Sequence, residues 1–353
     1  MKLLKPDFYD EFVCTASLCR DTCCAGWEIE VDGETLEKYR GLEGSFGKLV
    51  RSRISQEEDG AYFALAKGWR CPFLNSRNLC DIYIQLGENM LCDICRELPR
   101  FYQWFGDYTE TGLGLCCEEA CRLLFRKKEP LRFVCVDDGE PSEEGDPLLS
   151  PLLGARERLF GILQCRKYSL DQRVKAMLHC AGILDALLGR EDAEGLLEAA
   201  EKKEEAWFRE TGGGEDWYGP EEQILKLLEQ YAELESLDGT FGERMRELSG
   251  RLPELLKNRP IFLQAIKEKE YEYEHLTVYF IYRYFMEALF DGCALPPARF
   301  AAASLLVVQL MDIELWLNRG KFSEADRIFT AKLYSKEIEY CPENMEALRT
   351  FLE

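Results

Sequence analysis

The chain has 353 residues, of which 46% are hydrophobic and 31% are charged, and its formal net charge at pH 7 is −21. This length predicts about two domains, and the hydrophobic content excludes disordered and collagen-like classes. The acidic balance argues against nucleic acid as a partner, because phosphate binding needs a positive surface. It suits a cationic partner such as a lysine-bearing protein, or it is simply a solvated acidic surface.

The sequence predicts a cytoplasmic protein with no membrane partner. The first residues, MKLLKPDFYDEF, contain no apolar run of signal-peptide length. The longest apolar stretches, 276–290 and 300–317, each contain charged side chains, which argues against a membrane span. In a reducing compartment, clustered thiols are metal ligands more often than they are disulfides.

The front half shows short elements between cysteine clusters. Residues 28–32 alternate polar and apolar side chains, which indicates a strand-like segment. Asp32-Gly33 predicts a turn, and Thr35 is placed to cap a helix through Arg40. A further helical stretch is predicted at 87–98, and another helix is expected to hold 116–119 in its first turn.

The back half is almost entirely helical in pattern. Residues 137–147 hold six acids, two prolines and two glycines. They predict a linker at 137–152 between a cysteine-rich domain at 1–136 and a helical domain at 153–353. Helices are predicted at 153–167, 170–188, 191–209, 220–237, 240–258, 260–291, 297–318 and 322–353, with a break at Gly212–Gly214. The predicted fold class is therefore mainly α, with a cysteine-rich metal or iron–sulfur domain followed by a helical domain.

Twelve of the sixteen cysteines lie in the first 135 residues. Thiolates at short spacings hold soft metals or iron–sulfur clusters. The C-x2-C unit of Cys92 and Cys95 is the strongest chelating pattern, because its two sulfurs fit neighbouring corners of a tetrahedron. Cys23 and Cys24 are adjacent, so in regular backbone their side chains point apart and are not expected to reach the same iron.

The spacing leaves zinc and iron–sulfur open. Structural zinc sites usually pair two C-x2-C units, whereas the other spacings here are irregular, as for ligands brought together from distant loops. The triad C-x3-C-x2-C is not met, because Gly26 stands where its third cysteine belongs. A glycine-rich nucleotide loop and a catalytic triad are also absent from the sequence. His179 lies in an apolar helical pattern, which favours a hydrogen-bonded core histidine.

Five segments carry a resemblance to a known family. They are FVCTASLCRDTCCAGWEIEVD (12–32), WRCPFLNSRNLCDI (69–82), LGENMLCDICRELPR (86–100), YEHLTVYFIYRYF (273–285) and YSKEIEYCPEN (334–344). Together they resemble the flagellin lysine-N-methylase (FliB-like) family. The cysteine-rich front end of that family is similar to YkgJ-type zinc- or iron-chelating domains.

The resemblance implies methyl transfer from S-adenosylmethionine to lysine side chains of flagellin, with a [4Fe-4S] cluster. Carried over by position, the family's cysteines fall on Cys14, Cys19, Cys23, Cys24, Cys71, Cys80, Cys92, Cys95 and Cys117. Cys116 and Cys121 fall where the family tends to have other residues, and Glu118 replaces a common proline. Nine thiols exceed the four that one cluster needs, so some have another role.

Methyl transfer also requires a way to deprotonate lysine, whose intrinsic pKa is about 10.4. Glu339 and Tyr340 are predicted as catalytic residues, and Glu337 is a further candidate. Asn344 is predicted to orient and bind the cofactor. The alternative is that these side chains face solvent on a terminal helix.

Aromatic side chains are candidates for stacking on adenine or for surrounding a sulfonium or ammonium group. Trp27 is the predicted cofactor-binding residue, with Tyr102 and Trp104 as further candidates, and the alternative is a place in the core. Two non-catalytic functions remain: a zinc- or iron-chelating protein, or a structural zinc protein that scaffolds partners. The long helical half favours the enzyme, since a bare chelator does not need it.

Overall fold

The structure, a computed structural model, describes residues 2–58, 60–136, 146–211 and 216–353. The predicted break at Gly212–Gly214 and the first nine residues of the predicted linker lie outside the described residues. The strands are β1 (Lys2–Pro6), β2 (Ile54–Gln56), β3 (Ala61–Phe63), β4 (Arg100–Phe105), β5 (Tyr108–Leu113) and β6 (Phe133–Cys135). The helices before the predicted linker are α1 (Gly33–Arg40), α2 (Gly44–Ser52), α3 (Asp81–Leu86), α4 (Asp93–Glu97) and α5 (Glu118–Arg126).

A second series of helices follows the predicted linker. They are α6 (Leu149–Leu163), α7 (Leu170–Leu188), α8 (Ala193–Glu201), α9 (Glu204–Glu210), α10 (Glu221–Ala232), α11 (Thr240–Gly250), α12 (Leu252–Ala265), α13 (Glu270–Tyr284), α14 (Ala288–Asp291), α15 (Leu295–Arg319), α16 (Glu324–Ile338) and α17 (Pro342–Leu352). Helix accounts for 62% of the structure, which confirms the mainly α prediction.

Four strands form a sheet in the order β4-β5-β1-β6, which the sequence analysis did not predict. Strands β4 and β5 are antiparallel, while β1 runs parallel to β5. Gly106 begins the two-residue turn between β4 and β5 with φ +67°, a conformation that glycine adopts without steric cost. The remaining two strands, β2 and β3, form a separate hairpin.

Some helices begin or end at other residues than predicted, and the differences occur at prolines and at side-chain caps. Asp32, not Thr35, caps α1, because its carboxylate accepts a hydrogen bond from the Thr35 amide at 2.9 Å. Pro253 opens α12 in its first turn, whereas Pro260 lies inside the same helix without ending it. Helix α6 starts at Leu149, within the predicted linker, while α7 matches the predicted span of 170–188.

Buried apolar side chains form two separate clusters. The larger joins helices α6–α17 with α5 and residues of the sheet such as Phe105 and Leu113. The smaller, which we call the front cluster, is formed by residues between 24 and 95 and centres on Tyr39, Phe63 and Phe73. The predicted boundary at 136 stays a prediction, although the sheet and α5 share a core with the helices that follow.

Helix α13 lies at the centre of the larger cluster. Its residues from Glu272 to Tyr284 are buried, and it packs against α5, α6 and α15. Helix α16 packs against α5 and α15 as well. The ends of α13 and α16 are thereby held next to the segment that precedes α5.

One described helix, Leu295–Arg319, is long and apolar enough to cross a membrane by length and composition alone. Its most apolar window is 89% buried within the protein, as in the central helix of a packed core.

Candidate metal centre and active site

Five of the nine predicted ligand cysteines lie in or against the front cluster. These are Cys24, Cys71, Cys80, Cys92 and Cys95. They come from four separate stretches of chain, so folding has to bring them together. That these cysteines are metal ligands stays a prediction.

Short elements and backbone bonds fix these thiols. The Cys71 amide donates to the Cys24 carbonyl at 3.1 Å, which ties the first two stretches together. Cys80 is the N-cap of α3 and Cys92 is the N-cap of α4. The Tyr39 hydroxyl donates to the Met90 carbonyl at 2.6 Å and lies 3.7 Å from the Cys92 sulfur.

The donor set of five thiols fits a soft metal or an iron–sulfur group. In a tetrahedral zinc site with bonds of about 2.3 Å, the sulfurs stand about 3.8 Å apart. In the described part of the chain, the ligand atoms found in threes within 4.8 Å are those of Glu235, Cys341 and Glu343, not those of the front cluster. The Cys92 and Cys95 thiols nevertheless lie within hydrogen-bond distance of each other, so the set suits either zinc or an iron–sulfur cluster.

Nearby charges also suit thiolate ligands. The interaction with the Cys23 thiol, helped by Lys336 and Arg70, lowers the pKa of Cys24 to about 7 against the effect of burial. Burial raises the pKa of Cys71 to about 12, so this thiol is protonated at neutral pH unless a metal displaces the proton.

The side chains of Cys23 and Cys24 do not point apart as they would in a regular strand or helix. They lie in a bent segment, and their thiols interact with each other. The expectation that adjacent side chains point apart is therefore wrong at this position, because it assumed a regular element.

A buried polar cluster surrounds Glu339, directly after α16. Its Oε2 accepts hydrogen bonds from the hydroxyls of Tyr279 and Tyr284, both at 2.8 Å, and lies 3.0 Å from Arg283 Nη1. Its Oε1 is buried without a hydrogen-bond partner among the described residues. The alternative in which Glu339 and its neighbours face solvent is wrong, because the side chain is fully buried.

Arg283 holds this cluster together. Burial opposes its charge, but the phenols of Tyr279 and Tyr284 and the Glu339 carboxylate outweigh that effect and raise the pKa of Arg283. Burial likewise raises the pKa of both phenols, so they act as neutral donors. Sequence analysis missed Arg283, Tyr279 and Tyr284 as site residues, although they share one helix in the resemblance segment 273–285.

Tyr340 joins the cluster to the cysteine-rich half. Its ring stacks on Trp27 with centroids 5.4 Å apart, and the Arg283 guanidinium lies 5.1 Å from its centroid. Its hydroxyl lies beside the Cys116 thiol without a hydrogen bond of regular geometry. The structure thus brings two predicted site residues, Trp27 and Tyr340, into contact, and adds Cys116 as one that the sequence analysis left out of the site.

A basic helix face connects this stack with the front cluster. Lys336 Nζ lies 5.5 Å from the Trp27 ring centroid and donates to the Thr22 carbonyl at 3.4 Å. Lys332 Nζ lies one turn earlier and donates to Asp21 at 2.5 Å. Helix α16 therefore carries the two lysines that contact the 21–24 segment, and it ends next to Glu339.

The other predicted site residues are placed differently. Asn344 is buried, and its Nδ2 donates to the carbonyls of Glu235 and Glu337, both at 2.8 Å. Its Oδ1 accepts from the Glu235 amide at 2.8 Å, so the whole amide group is used to join the 235 segment to α16 and α17. Cofactor binding by Asn344 stays a prediction. Glu337 is also buried, and its carboxylate accepts from the Leu237 amide at 3.1 Å.

Two aromatic candidates lie at the surface rather than in the core. Trp104 is 65% exposed and Tyr102 is 37% exposed, and they stack on each other. His179 is also not a core residue, since it is partly exposed beside Glu210. The buried histidine is His275, whose Nδ1 is 3.0 Å from the Leu124 carbonyl.

Comparison with known proteins shows the family to which the helical half belongs. Residues 156–353 match the family model of the FliB lysine N-methylase C-terminal domain. The match covers more than half of the chain and includes Arg283, Glu339 and Tyr340. The chain belongs to the FliB family.

Individual relatives share low sequence identity with this chain, over a third of its length. The lysine-N-methylases of Salmonella typhimurium and Salmonella choleraesuis are each 28% identical over 121 residues, which is 33% of this chain and 30% of each relative. The flagellar biosynthetic protein FliU of Salmonella muenchen is 27% identical over 121 residues, which is 33% of this chain and 72% of that protein. The matched region thus spans under a third of the lysine-N-methylases. No solved structure matches this FliB-family chain.

Proposed function

We propose that this chain is a cytoplasmic enzyme that transfers methyl groups from S-adenosylmethionine to lysine side chains of flagellin. The main support is that the FliB lysine N-methylase C-terminal domain match contains the buried Glu339 cluster. The names of the relatives support lysine as the acceptor and a flagellar protein as the substrate.

Glu339 is the proposed base. Its Oε2 is held by two phenols and a guanidinium, which leaves Oε1 to accept a proton from the lysine ammonium. The neutral amine then attacks the methyl carbon of the sulfonium: the N–C bond forms as the C–S bond breaks. S-adenosylhomocysteine leaves as a neutral thioether, and the methylated amine carries the positive charge.

Aromatic faces and carboxylates suit two cationic reactants. The Trp27–Tyr340 stack offers π surface to a sulfonium or an adenine ring. Tyr284, which donates to Glu339, also lines a small cavity that includes the carboxylates of Glu287 and Asp291. Arg349, which pairs with Glu287, lines the same cavity. We propose that the lysine approaches through this cavity towards Tyr284 and Glu339.

The front cluster is the proposed site of a [4Fe-4S] cluster, held by four of its five cysteines. When bound, such a group supplies a redox-active centre and links four distant segments. Zinc is the alternative at the same thiols.

Binding of S-adenosylmethionine to the cluster-loaded full chain tests the proposal by calorimetry. We expect Trp27→Ala to weaken binding about five- to thirtyfold, the range of a partly desolvated cation–π or stacking contact. Trp104→Ala is the matched control and should leave the affinity unchanged, because that ring is exposed away from Tyr340. No binding to the unmodified chain would favour the metal-chelating alternative instead.

Gly114 sets the position of Tyr340. A Cβ at Gly114 would lie 1.8 Å from the Tyr340 hydroxyl oxygen. We expect Gly114→Ala to displace the phenol and to lower methyl transfer at least tenfold, with a stability cost of about 1–3 kcal/mol.

Gly182→Ala is the control for this change, since a Cβ there meets nothing within 4 Å. It should keep full activity and gain stability of up to about 1 kcal/mol within α7. Methyl-transfer rates and urea unfolding of the two variants separate the effects, and an active Gly114→Ala protein would show that Tyr340 does not need its observed position.

A further inference from the structure

Two lysines of α16 share one carboxylate at the 21–24 segment. Lys332 Nζ lies 2.5 Å from Asp21 Oδ2, and Lys336 Nζ lies 3.5 Å from the same oxygen. Among the described residues, no other carboxylate oxygen lies within 4.0 Å of either nitrogen. The lysine side chains are 9% and 11% exposed, whereas that of Asp21 is 55% exposed. One of two nearly buried positive charges is therefore left without a close counter-ion.

Lys336 has the weaker polar contacts of the two lysines. Besides Asp21, its ammonium contacts the Thr22 carbonyl at 3.4 Å, which is long for a hydrogen bond. An ammonium has three donors, and a buried charge is costly unless it is paired. Asp238 and Glu337 interact with Lys336 electrostatically from longer range. The position of Lys336 therefore suits an anionic group that comes from outside the chain.

Packing fixes the Lys336 side chain beside Trp27. Gly26 has φ +106°, and a Cβ there would lie 2.8 Å from Lys336 Cε. The ammonium lies 5.5 Å from the Trp27 ring centroid. Trp27 and Tyr340 stack on each other and are each half-buried, so part of the stack is open to a ligand. An anion bound at Lys336 would therefore lie next to the proposed stacking surface for the donor.

The chemistry of the donor matches this arrangement. S-adenosylmethionine carries an adenine and a sulfonium, which aromatic faces bind, and a carboxylate, which a lysine ammonium binds. We propose that Lys336 binds the carboxylate of S-adenosylmethionine and so orients the donor at the Trp27–Tyr340 stack. This inference rests on the proposed function, because it names a binding residue for the same donor. Lys336 takes no part in the chemical step.

The thiolate of Cys24 competes for the same positive charge. Lys336 helps to lower the pKa of Cys24, which belongs to the front cluster. The two roles predict different results when the lysine is replaced. A lysine that serves the thiolate affects metal content and weakens every donor alike, whereas a lysine that binds the donor distinguishes ligands by their carboxylate.

Calorimetry with two ligands that differ in the carboxylate tests the proposal. The ligands are S-adenosylmethionine and decarboxylated S-adenosylmethionine, and the protein is the cluster-loaded full chain. The unmodified chain should bind S-adenosylmethionine about 10- to 100-fold more tightly, the range for a hydrogen bond between charged groups. In Lys336→Met this ratio should fall below about threefold, while the affinity for the decarboxylated ligand stays within about threefold of the unmodified value.

Lys202→Met is the matched control. Lys202 also pairs with a carboxylate, that of Glu210 at 2.6 Å, and its ammonium lies 3.8 Å from the Trp207 ring centroid. It belongs to the segment between α8 and α9 and has no contact with the Trp27–Tyr340 stack among the described residues. Both affinities should stay unchanged. Metal analysis and circular dichroism of the two variants establish that the front cluster and the fold are intact.

Three results would overturn the inference while the proposed function stands, because the donor still binds. The first is a Lys336→Met protein that keeps the ratio of the unmodified chain. The second is a Lys336→Met protein that loses affinity equally for both ligands, which together with metal loss would assign Lys336 to the Cys24 thiolate. The third is an unmodified chain that binds both ligands equally. An unmodified chain that binds neither ligand would overturn the proposed function and this inference with it.

Discussion

Replacing Glu339 with glutamine is expected to lower the rate of lysine methylation by about 100- to 10,000-fold, the usual contribution of a general base. Glutamine keeps the size of the side chain and an oxygen for the Tyr279 and Tyr284 hydroxyls, but its amide does not accept a proton from the lysine ammonium. The loss should appear in kcat under saturating S-adenosylmethionine.

Glu343→Gln is the matched control, since this carboxylate is four residues further on and exposed. It should change the rate by less than about threefold, in keeping with a screened surface charge. Iron content and circular dichroism of both proteins establish that cluster and fold are intact. A Glu339→Gln protein that methylates as fast as the control variant would remove Glu339 from the mechanism.

Replacing Arg156 with methionine is expected to cost about 3–5 kcal/mol of unfolding free energy, the range for breaking one partner of a buried ion pair. Arg156 on α6 binds Glu110 on β5 through both carboxylate oxygens, and both side chains are almost fully buried. The Tyr108 hydroxyl also donates to Glu110 at 2.6 Å. The variant would leave the Glu110 charge buried without its counter-ion, at the junction of the sheet and the helices.

Urea unfolding measures this loss of free energy. Two further variants test whether it comes from the unpaired buried charge. Arg156→Met/Glu110→Leu should recover most of the loss, because replacing both charges with apolar side chains leaves neither unpaired. Lys38→Met removes an exposed pair with Glu34 and should cost less than about 1 kcal/mol. If Arg156→Met lowers the unfolding free energy no more than Lys38→Met does, the Arg156–Glu110 pair does not stabilise the junction of the sheet and the helices.

Local patterns were enough to predict much of the helical half. The span of α7 was predicted at both ends, because Ser169 provides a capping box and the apolar period continues to Leu188. Strands β4 and β5 lie outside the sequence prediction, because β5 pairs with β1, which is about 100 residues away in the sequence, and no local pattern shows that pairing. The break predicted between 258 and 260 is wrong, because α12 continues through Pro260: a helix packed in a core tolerates one missing amide donor.

The candidate site was only partly visible in the sequence for the same reason. Glu339 and Tyr340 stood out as neighbours in a resemblance segment, but their contacts with Arg283 and Trp27 join residues more than 50 positions apart. The cysteines of the front cluster are equally non-local: Cys24 and Cys71 lie 47 positions apart, and folding joins their backbones through a hydrogen bond of 3.1 Å.

Transfer of a trideuteromethyl group tests the central claim most directly. The cluster-loaded chain is incubated with S-adenosylmethionine that carries a deuterated methyl group, together with flagellin, and flagellin peptides are analysed by mass spectrometry. The account predicts lysine residues that each gain whole trideuteromethyl groups, in numbers that rise with time and fall to background with Glu339→Gln. Flagellin whose lysines gain no deuterated methyl group, under conditions in which the chain binds the donor, would contradict it.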